Sequence, residues 1–350
     1  MAKTKGYAAQ VANGKIEPWE FERREVGATD ISIDIEFAGI CHSDIHQVKE
    51  EWGEAIFPMV PGHEIVGTVV AVGLDVKKFK VGDIAGVGCF VDSCGTCEYC
   101  IDGNDHWCLD NSAYTYNGME HDGVTPTYGG YSKNIVVKAD YALHVPANLD
   151  RAGAAPLLCA GITTFSPLRH WNAGPGKKVA VMGLGGLGHM AVKIAVAMGA
   201  EVTVMSHSEG KRADALAMGA ANFVVTSDKA ELKKLANTFD IIINTVSAEI
   251  EIHRYIGTLR QWGSLVVVGA PGKPYSLDGS ALMGRQLSLS GSAIGSIKET
   301  QEMLDFCGKH NIVSDIEIIP ATAINEAYER VLASDVRYRF VIDTATILEV

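Results

Sequence analysis

The stretch KKVAVMGLGGLGHMAVKIAVAMGAEVTVMS, residues 177–206, decides the fold. It opens with an apolar run, Val179–Met182, turns at GLGGLG (183–188), continues through the apolar-periodic segment HMAVKIAVAMGA and closes on a second apolar run, EVTVMS. Short apolar runs bounded by glycine read as strands, and the periodic segment between them reads as a helix. Gly183, Gly185 and Gly188 fit G-x-G-x-x-G, with Gly186 and Leu187 completing the turn. Glycines at that spacing permit a tight turn and let a pyrophosphate approach the helix N-terminus. A glycine-rich hairpin would share the letters but not the strand before and the helix after.

The same alternation continues downstream. KRADALAMGA (211–220) reads as a helix ending in glycine, and FDIIINTV (239–246), GSLVVVGA (263–270) and QLSLSGSA (286–293) read as buried strands. Strands alternating with helices imply a parallel, doubly wound sheet. The first 150 residues differ. DISIDIEFAG (30–39) and IVGTVVAVG (65–73) alternate at period two, and VGDIAGVGCFV (81–91) and GGYSKNIVV (129–137) add further strands, so this lobe is β-rich. The tail holds two amphipathic helices, KETQEMLDFCGKHNI (298–312) and INEAYERVLA (324–333), and a strand, RYRFVID (337–343), expected to rejoin the first lobe.

A chain of 350 residues has room for two domains. Its formal net charge of -12 argues against nucleic-acid and anionic-membrane partners, which would repel it. No stretch of about 18 apolar residues could span a bilayer, and the N-terminus shows no secretory pattern. A cytoplasmic setting is therefore expected, where eight cysteines are not there to form disulfides.

Four of those cysteines crowd into CGTCEYCIDGNDHWC (94–108). Cys94, Cys97, Cys100 and Cys108 can close around one tetrahedral ion, as in a structural zinc site, with small or polar residues between them. A redox C-x-x-C pair is the other reading, but such a pair normally follows a strand and opens a helix. A second ligand set is spread along the chain: Cys41 in GICHSDIH (39–46), His63 and Glu64 in PGHEIVG (61–67), and Cys159 in PLLCAGITT (156–164). Two thiolates and an imidazole would leave one position open. Spacing alone does not separate this set from ordinary core and surface residues.

The end of the second strand selects the cofactor. A carboxylate there would bind a ribose 2′-hydroxyl. This chain has Ser206, then Ser208, Lys211 and Arg212, with Glu209 in the turn. Hydroxyls and a cation suit a 2′-phosphate, so NADP(H) is expected.

GICHSDIHQ, GHE, the four-cysteine loop, PLLCAGITTFSPLRHW, GLGGLG and RYRFVID, in this order, resemble the zinc-dependent medium-chain alcohol dehydrogenases over nearly the whole chain. Within them the chain looks like the cinnamyl alcohol dehydrogenase branch, which includes bacterial NADPH-dependent aldehyde reductases. The resemblance implies an α/β fold: a GroES-like β-rich catalytic domain over residues 1–159 and 297–350, and a Rossmann domain over 160–296. It implies a catalytic zinc on Cys41, His63 and Cys159, with Glu64 beside it, and a structural zinc on the four-cysteine loop. It also implies Asp44 orienting His63, a proton relay of Ser43 and His46, and contacts to NADP(H) from His42, Thr163 and Arg339 as well as Ser206, Ser208 and Lys211. His207 stands where plant relatives carry serine. Trp52, Cys89 and Ile294 are candidates to line a substrate pocket, with the small Ala293 where plant members have an aromatic residue, and Cys307 is expected to pack silently in a helix. The expected reaction is hydride transfer between NADPH and a cinnamaldehyde-like or aliphatic aldehyde, by a homodimer with LSLSGSAIGS (287–296) as its edge strand. The rivals are an NAD-dependent alcohol or polyol dehydrogenase of the same fold, opposed by Ser206, and a non-catalytic zinc module on nucleic acid, opposed by the acidic balance and the second ligand set. A zinc-free quinone reductase should lack both ligand sets.

Overall fold

Period-two alternation builds the first part of the chain. The computed structural model describes residues 2–347. In it β1 (Ala2–Ala9) and β2 (Ile16–Arg23) form an antiparallel pair. β3 (Asp30–Gly39) leads into the short helix α1 (His42–Val48), and β4 (Ile65–Val72) returns antiparallel to β3. Ile31, Ile33 and Ile35 of β3 pack with Ile65, Val69 and Val87 in one core. Each such side chain contributes roughly 1.5–3 kcal/mol of burial.

The expected strand over 81–91 is two strands. β5 (Ile84–Val87) pairs with β4, whereas β6 (Phe90–Asp92) leaves that sheet and pairs with β7 (Ala113–Tyr114). The break falls at Gly88 and Cys89, where a Cβ on Gly88 would lie 3.0 Å from the Leu158 carbonyl. The close approach of residue 158 ends the strand and brings Cys159 alongside. The four-cysteine loop, with its short helix α2 (Glu98–Ile101), fills the span between β6 and β7. Of the expected strand over 129–137, only β8 (Asn134–Lys138) is extended pairing. Gly129 and Gly130 instead close against Val60–Gly62, with a Gly129 N–H to Val60 carbonyl bond of 2.7 Å. A Cβ on Gly129 would meet the Pro61 and Gly62 carbonyls at 2.4 Å, so only glycine lets this segment brace the backbone before His63. A two-residue strand, β9 (Leu143–His144), and a single turn, α3 (Arg151–Ala154), follow.

Helix α4 (Ala160–His170) leads into the alternating region. β10 (Lys178–Met182), α5 (Gly188–Ala197) and β11 (Glu201–Ser206) form the strand–helix–strand unit expected around GLGGLG. It continues through α6 (Arg212–Ala217), β12 (Asn222–Val225), α7 (Lys229–Lys234), β13 (Phe239–Asn244), α8 (Ile252–Ile256), β14 (Leu259–Val267), α9 (Ser280–Met283) and β15 (Ser288–Gly291). All ladders are parallel, in the order β12-β11-β10-β13-β14-β15. The order reverses between β10 and β13, the switch point at which doubly wound sheets bind ligands. β15 lies where LSLSGSAIGS was expected to form an edge strand, but it is not the buried strand expected of QLSLSGSA. It is the sheet edge, and its four residues are exposed or half-buried.

The tail returns through α10 (Ile297–His310), β16 (Ile316–Pro320), α11 (Ile324–Leu332) and β17 (Arg339–Asp343). Ser296 caps α10 by accepting from the Glu299 N–H at 3.1 Å. β17 lies antiparallel to residues 37–39 of β3, on the edge that β8 shares at residues 30–34. The chain thus divides into two compact units: residues up to Cys159 together with those from Gly295 onward, and Ala160–Ile294.

Candidate active site

Cys41 ends the turn after β3 and starts α1, His63 and Glu64 precede β4, and Cys159 closes the segment before α4. One ligand atom from each of Cys41, His63, Glu64 and Cys159 lies within 4.8 Å of all the others. The two sulfurs are 3.9 Å apart. Thiolates about 2.3 Å from a tetrahedral zinc stand about 3.8 Å from one another, whereas a disulfide needs about 2 Å. The donor set therefore fits a metal and not a disulfide.

Asp44 organises this cluster. It is fully buried on α1. One oxygen accepts from the Cys41 N–H at 2.8 Å and the Tyr131 hydroxyl at 3.1 Å, and the other from the Gly62 N–H at 3.2 Å. His63 Nδ1 is 3.1 Å from that second oxygen. A carboxylate only accepts, so Nδ1 carries the proton and Nε2 keeps its lone pair for a metal. Tyr116 stacks on the His63 ring at 5.7 Å.

Glu64 pairs with the buried Arg339 of β17, whose guanidinium also donates to the Ile40 carbonyl at 2.8 Å. Burial pushes the Glu64 carboxyl up to about 8, and Arg339 pulls it the other way. Glu64 Oε2 and Arg339 Nε are buried without a hydrogen-bond partner. Such orphaned atoms are expensive unless a ligand meets them.

Ser43 Oγ stands 3.5 Å from Cys41 Sγ. His46 Nδ1 contacts the Glu51 carboxylate, its ring stacks on Trp52 at 4.8 Å, and His42 lies 5.9 Å away. Cys89 Sγ is 3.8 Å from the Leu158 carbonyl. Glu51 and Tyr131 were not singled out in the sequence. An acid five residues after a histidine is a weak signal, and Tyr131 is 87 residues from its carboxylate partner.

In the four-cysteine loop, Cys100 Sγ is 3.5 Å from Cys97 Sγ and 3.9 Å from Cys94 Sγ, and all four sulfurs lie within 4.8 Å of one another. Backbone N–H groups of Thr96 and Cys97 point at Cys94 and bring its thiol down to about 6. Cys307 is buried in α10 beside Met303; burial pushes its thiol up to about 12.

At the glycine turn, Gly183 has a φ of 85°, and a Cβ on Gly188 would lie 2.1 Å from the Gly183 carbonyl. A Cβ on Gly185 would meet open space, so the start of α5 leaves room for a ligand. Ser206 is buried at the end of β11, Ser208 and His207 are exposed, and Lys211 Nζ donates to the Leu184 carbonyl at 2.7 Å. Arg212 and Glu209 pair with each other, and Arg212 also donates to the Phe223 carbonyl at 3.0 Å and covers its ring. Lys211 therefore faces the turn, while Arg212 ties the loop to β12. Thr163 is buried in the first turn of α4, and Ile294 holds a left-handed φ of 42°.

The family model described as alcohol dehydrogenase GroES-like domain matches residues 27–147, and that described as zinc-binding dehydrogenase matches 186–309. The NADP-dependent alcohol dehydrogenase C 1 of Mycolicibacterium smegmatis is 56% identical, with 99% of each chain covered. The aldehyde reductase YahK of Escherichia coli is 50% identical, covering 99% of this chain and 100% of that one. Among solved structures, a cinnamyl alcohol dehydrogenase from Sorghum bicolor superposes with a TM-score of 0.96 at 47% identity over 100% of both chains. A cinnamyl alcohol dehydrogenase from Helicobacter pylori complexed with NADP(H) gives 0.92 at 44% identity over 98% of this chain and 99% of that one. The two units are thus a GroES-like domain and a Rossmann domain. The chain belongs to the zinc-dependent medium-chain alcohol dehydrogenases, in their cinnamyl alcohol dehydrogenase branch.

Proposed function

We propose that this protein reduces aldehydes to primary alcohols with NADPH and carries two zinc ions per chain. The observation that carries the reading is the pair of sulfurs at zinc-ligand spacing beside an imidazole whose Nδ1 is held by Asp44. Cys41, His63 and Cys159 hold the catalytic zinc, with Glu64 beside them; Cys94, Cys97, Cys100 and Cys108 hold the structural one. Zinc bound at the first set supplies Lewis acidity towards a carbonyl oxygen. NADPH at the glycine turn supplies the hydride.

The chain's own residues do the rest. Gly183, Gly185, Gly186, Leu187 and Gly188 admit the pyrophosphate to the start of α5, with Thr163 towards the nicotinamide. Ser206, Ser208 and Lys211 bind the 2′-phosphate, for which Lys211 leaves the Leu184 carbonyl. Adding hydride to an aldehyde leaves an oxygen that needs a proton. Ser43 provides the hydroxyl, and His46, held at Nδ1 by Glu51, passes the proton from solvent. Trp52 and Cys89 line the substrate pocket, which takes aromatic, unsaturated and aliphatic aldehydes.

Residues 1–159 and 297–350 serve as the catalytic domain and 160–296 as the cofactor domain. β15 has one ladder partner, β14, in its sheet. An exposed strand edge is a ready pairing surface, and a second copy completing it gives a homodimer. Among the described residues no helix is long and apolar enough to cross a membrane.

Metal analysis tests the two-site reading. The wild type is expected to hold two zinc ions per chain, and Cys159→Ser one, with activity lost. A single zinc in the wild type, unchanged by Cys159→Ser, would refute the catalytic site.

A further inference from the structure

Two sulfurs in the four-cysteine loop receive these backbone N–H groups: Thr96 and Cys97 point at Cys94, and Cys94 points at Cys108. Cys100 also has a hydroxyl partner from outside the loop. Ser93 Oγ, on a residue 6% exposed, lies 3.2 Å from Cys100 Sγ and 2.6 Å from the Tyr141 hydroxyl. Tyr141 comes from a different part of the unit, the turn Ala139–Tyr141 between β8 and β9. Its ring meets Phe90 edge-on at 5.9 Å. Lys138, at the start of that turn, pairs with Asp92 at 2.5 Å. Two successive residues at the foot of the loop, Asp92 and Ser93, are thus clasped by residues 138–141.

The chemistry of the groups fixes the direction of this chain. A thiolate can only accept, and a serine hydroxyl has one proton to give. Tyr141 keeps its proton at neutral pH, since burial pushes the phenol up to about 12. With Cys100 ionised by a bound zinc, Tyr141 donates to Ser93, and Ser93 donates to Cys100 Sγ. Hydrogen bonds to an ionised acceptor are stronger than neutral ones, and a chain of them polarises along its length. The setting calls for such donors. Four thiolates around one dication leave a surplus of negative charge, and Glu98, Asp102, Asp105 and Asp110 add to it. Outer partners of this kind hold metal ligands in place and tune them.

We propose that Ser93 and Tyr141 are positioning residues for the structural metal site, forming a hydroxyl relay that holds Cys100 on the zinc and lowers the nucleophilicity of its sulfur. This rests on the reading that the four cysteines hold zinc. The relay has a use in an enzyme that handles unsaturated aldehydes, because these are soft electrophiles. A thiolate that adds to one forms a carbon–sulfur bond at the β-carbon. The carbon–carbon double bond is lost, the α-carbon takes a proton from water, and the sulfur becomes a poor zinc ligand. A sulfur whose lone pair is engaged by Ser93 resists this addition.

The test uses holoenzyme of known zinc content, challenged with N-ethylmaleimide in the presence of a chromophoric zinc chelator. N-ethylmaleimide adds to thiolates by the same route. Two quantities are read: the rate of zinc release, and the order in which cysteines are modified, by peptide mass mapping. Ser93→Ala is expected to release the loop zinc about tenfold faster, with Cys100 becoming the first loop cysteine modified. Ser93→Thr, which keeps a hydroxyl, should stay near the wild type, and Tyr141→Phe should move in the direction of Ser93→Ala by a smaller factor. If Ser93→Ala purifies without the loop zinc while Ser93→Thr retains it, the relay is supported at the level of affinity. The same release rate and the same order of modification in Ser93→Ala and wild type would overturn it. A wild type without zinc in the loop, seen in the metal content before any challenge, would remove the metal reading itself.

Discussion

Asp44 shows most clearly what one residue does for the site. Its two oxygens collect the Cys41 and Gly62 N–H groups, the Tyr131 hydroxyl and the His63 ring, so it places two metal ligands at once. Asp44→Asn keeps the shape but offers an amide N–H where an acceptor is needed. It is expected to lower kcat/KM and zinc affinity at the catalytic site by about 10–100-fold, with the loop zinc retained. Wild-type metal content and activity in Asp44→Asn would contradict this role. At this scale the sequence was informative where spacing is local. The four cysteines stand within fifteen residues, and loops of that length bring their sulfurs to one centre. It was silent where partners are distant or the pairing has no fixed offset. Nothing in the order of residues announces that Tyr131 reaches Asp44 or that Glu64 meets Arg339, 275 residues away.

The glycine turn carries the element-scale prediction. Gly188 and Gly185 sit in one motif but do different work. A Cβ on Gly188 would collide with the Gly183 carbonyl at 2.1 Å, a backbone contact that cannot yield without moving α5. A Cβ on Gly185 meets nothing within 4 Å. Gly188→Ala should therefore lower the melting temperature by several degrees, while Gly185→Ala should melt like the wild type and lose NADPH affinity, measured by titration of cofactor fluorescence. Equal effects of the two on stability would show that this division of labour is wrong. The strands of the parallel sheet were readable because buried apolar runs bounded by glycine leave few alternatives. The break at Gly88–Cys89 and the shortness of β8 were not, because Leu158 and Pro61, which cause them, are remote in sequence. β15 (SLSG) is short and uncharged, so its letters do not separate the interior of a sheet from its edge, which differ only in what lies beside them.

At the scale of the whole molecule, two domains with separate cores place metal chemistry on one and the cofactor turn on the other. The exposed edge of β15 predicts a dimer, so light scattering should give twice the mass of one chain at micromolar concentration; the mass of a single chain would mean the edge stays unpaired. The central claim is that the end of β11 is built for a 2′-phosphate in a zinc aldehyde reductase. The direct test is kcat/KM for cinnamaldehyde with NADPH and with NADH, in the wild type and in Ser206→Asp. The account predicts a large NADPH advantage in the wild type that shrinks or reverses in the variant. An NADH preference in the wild type, or a variant that leaves the NADPH advantage intact, would contradict it.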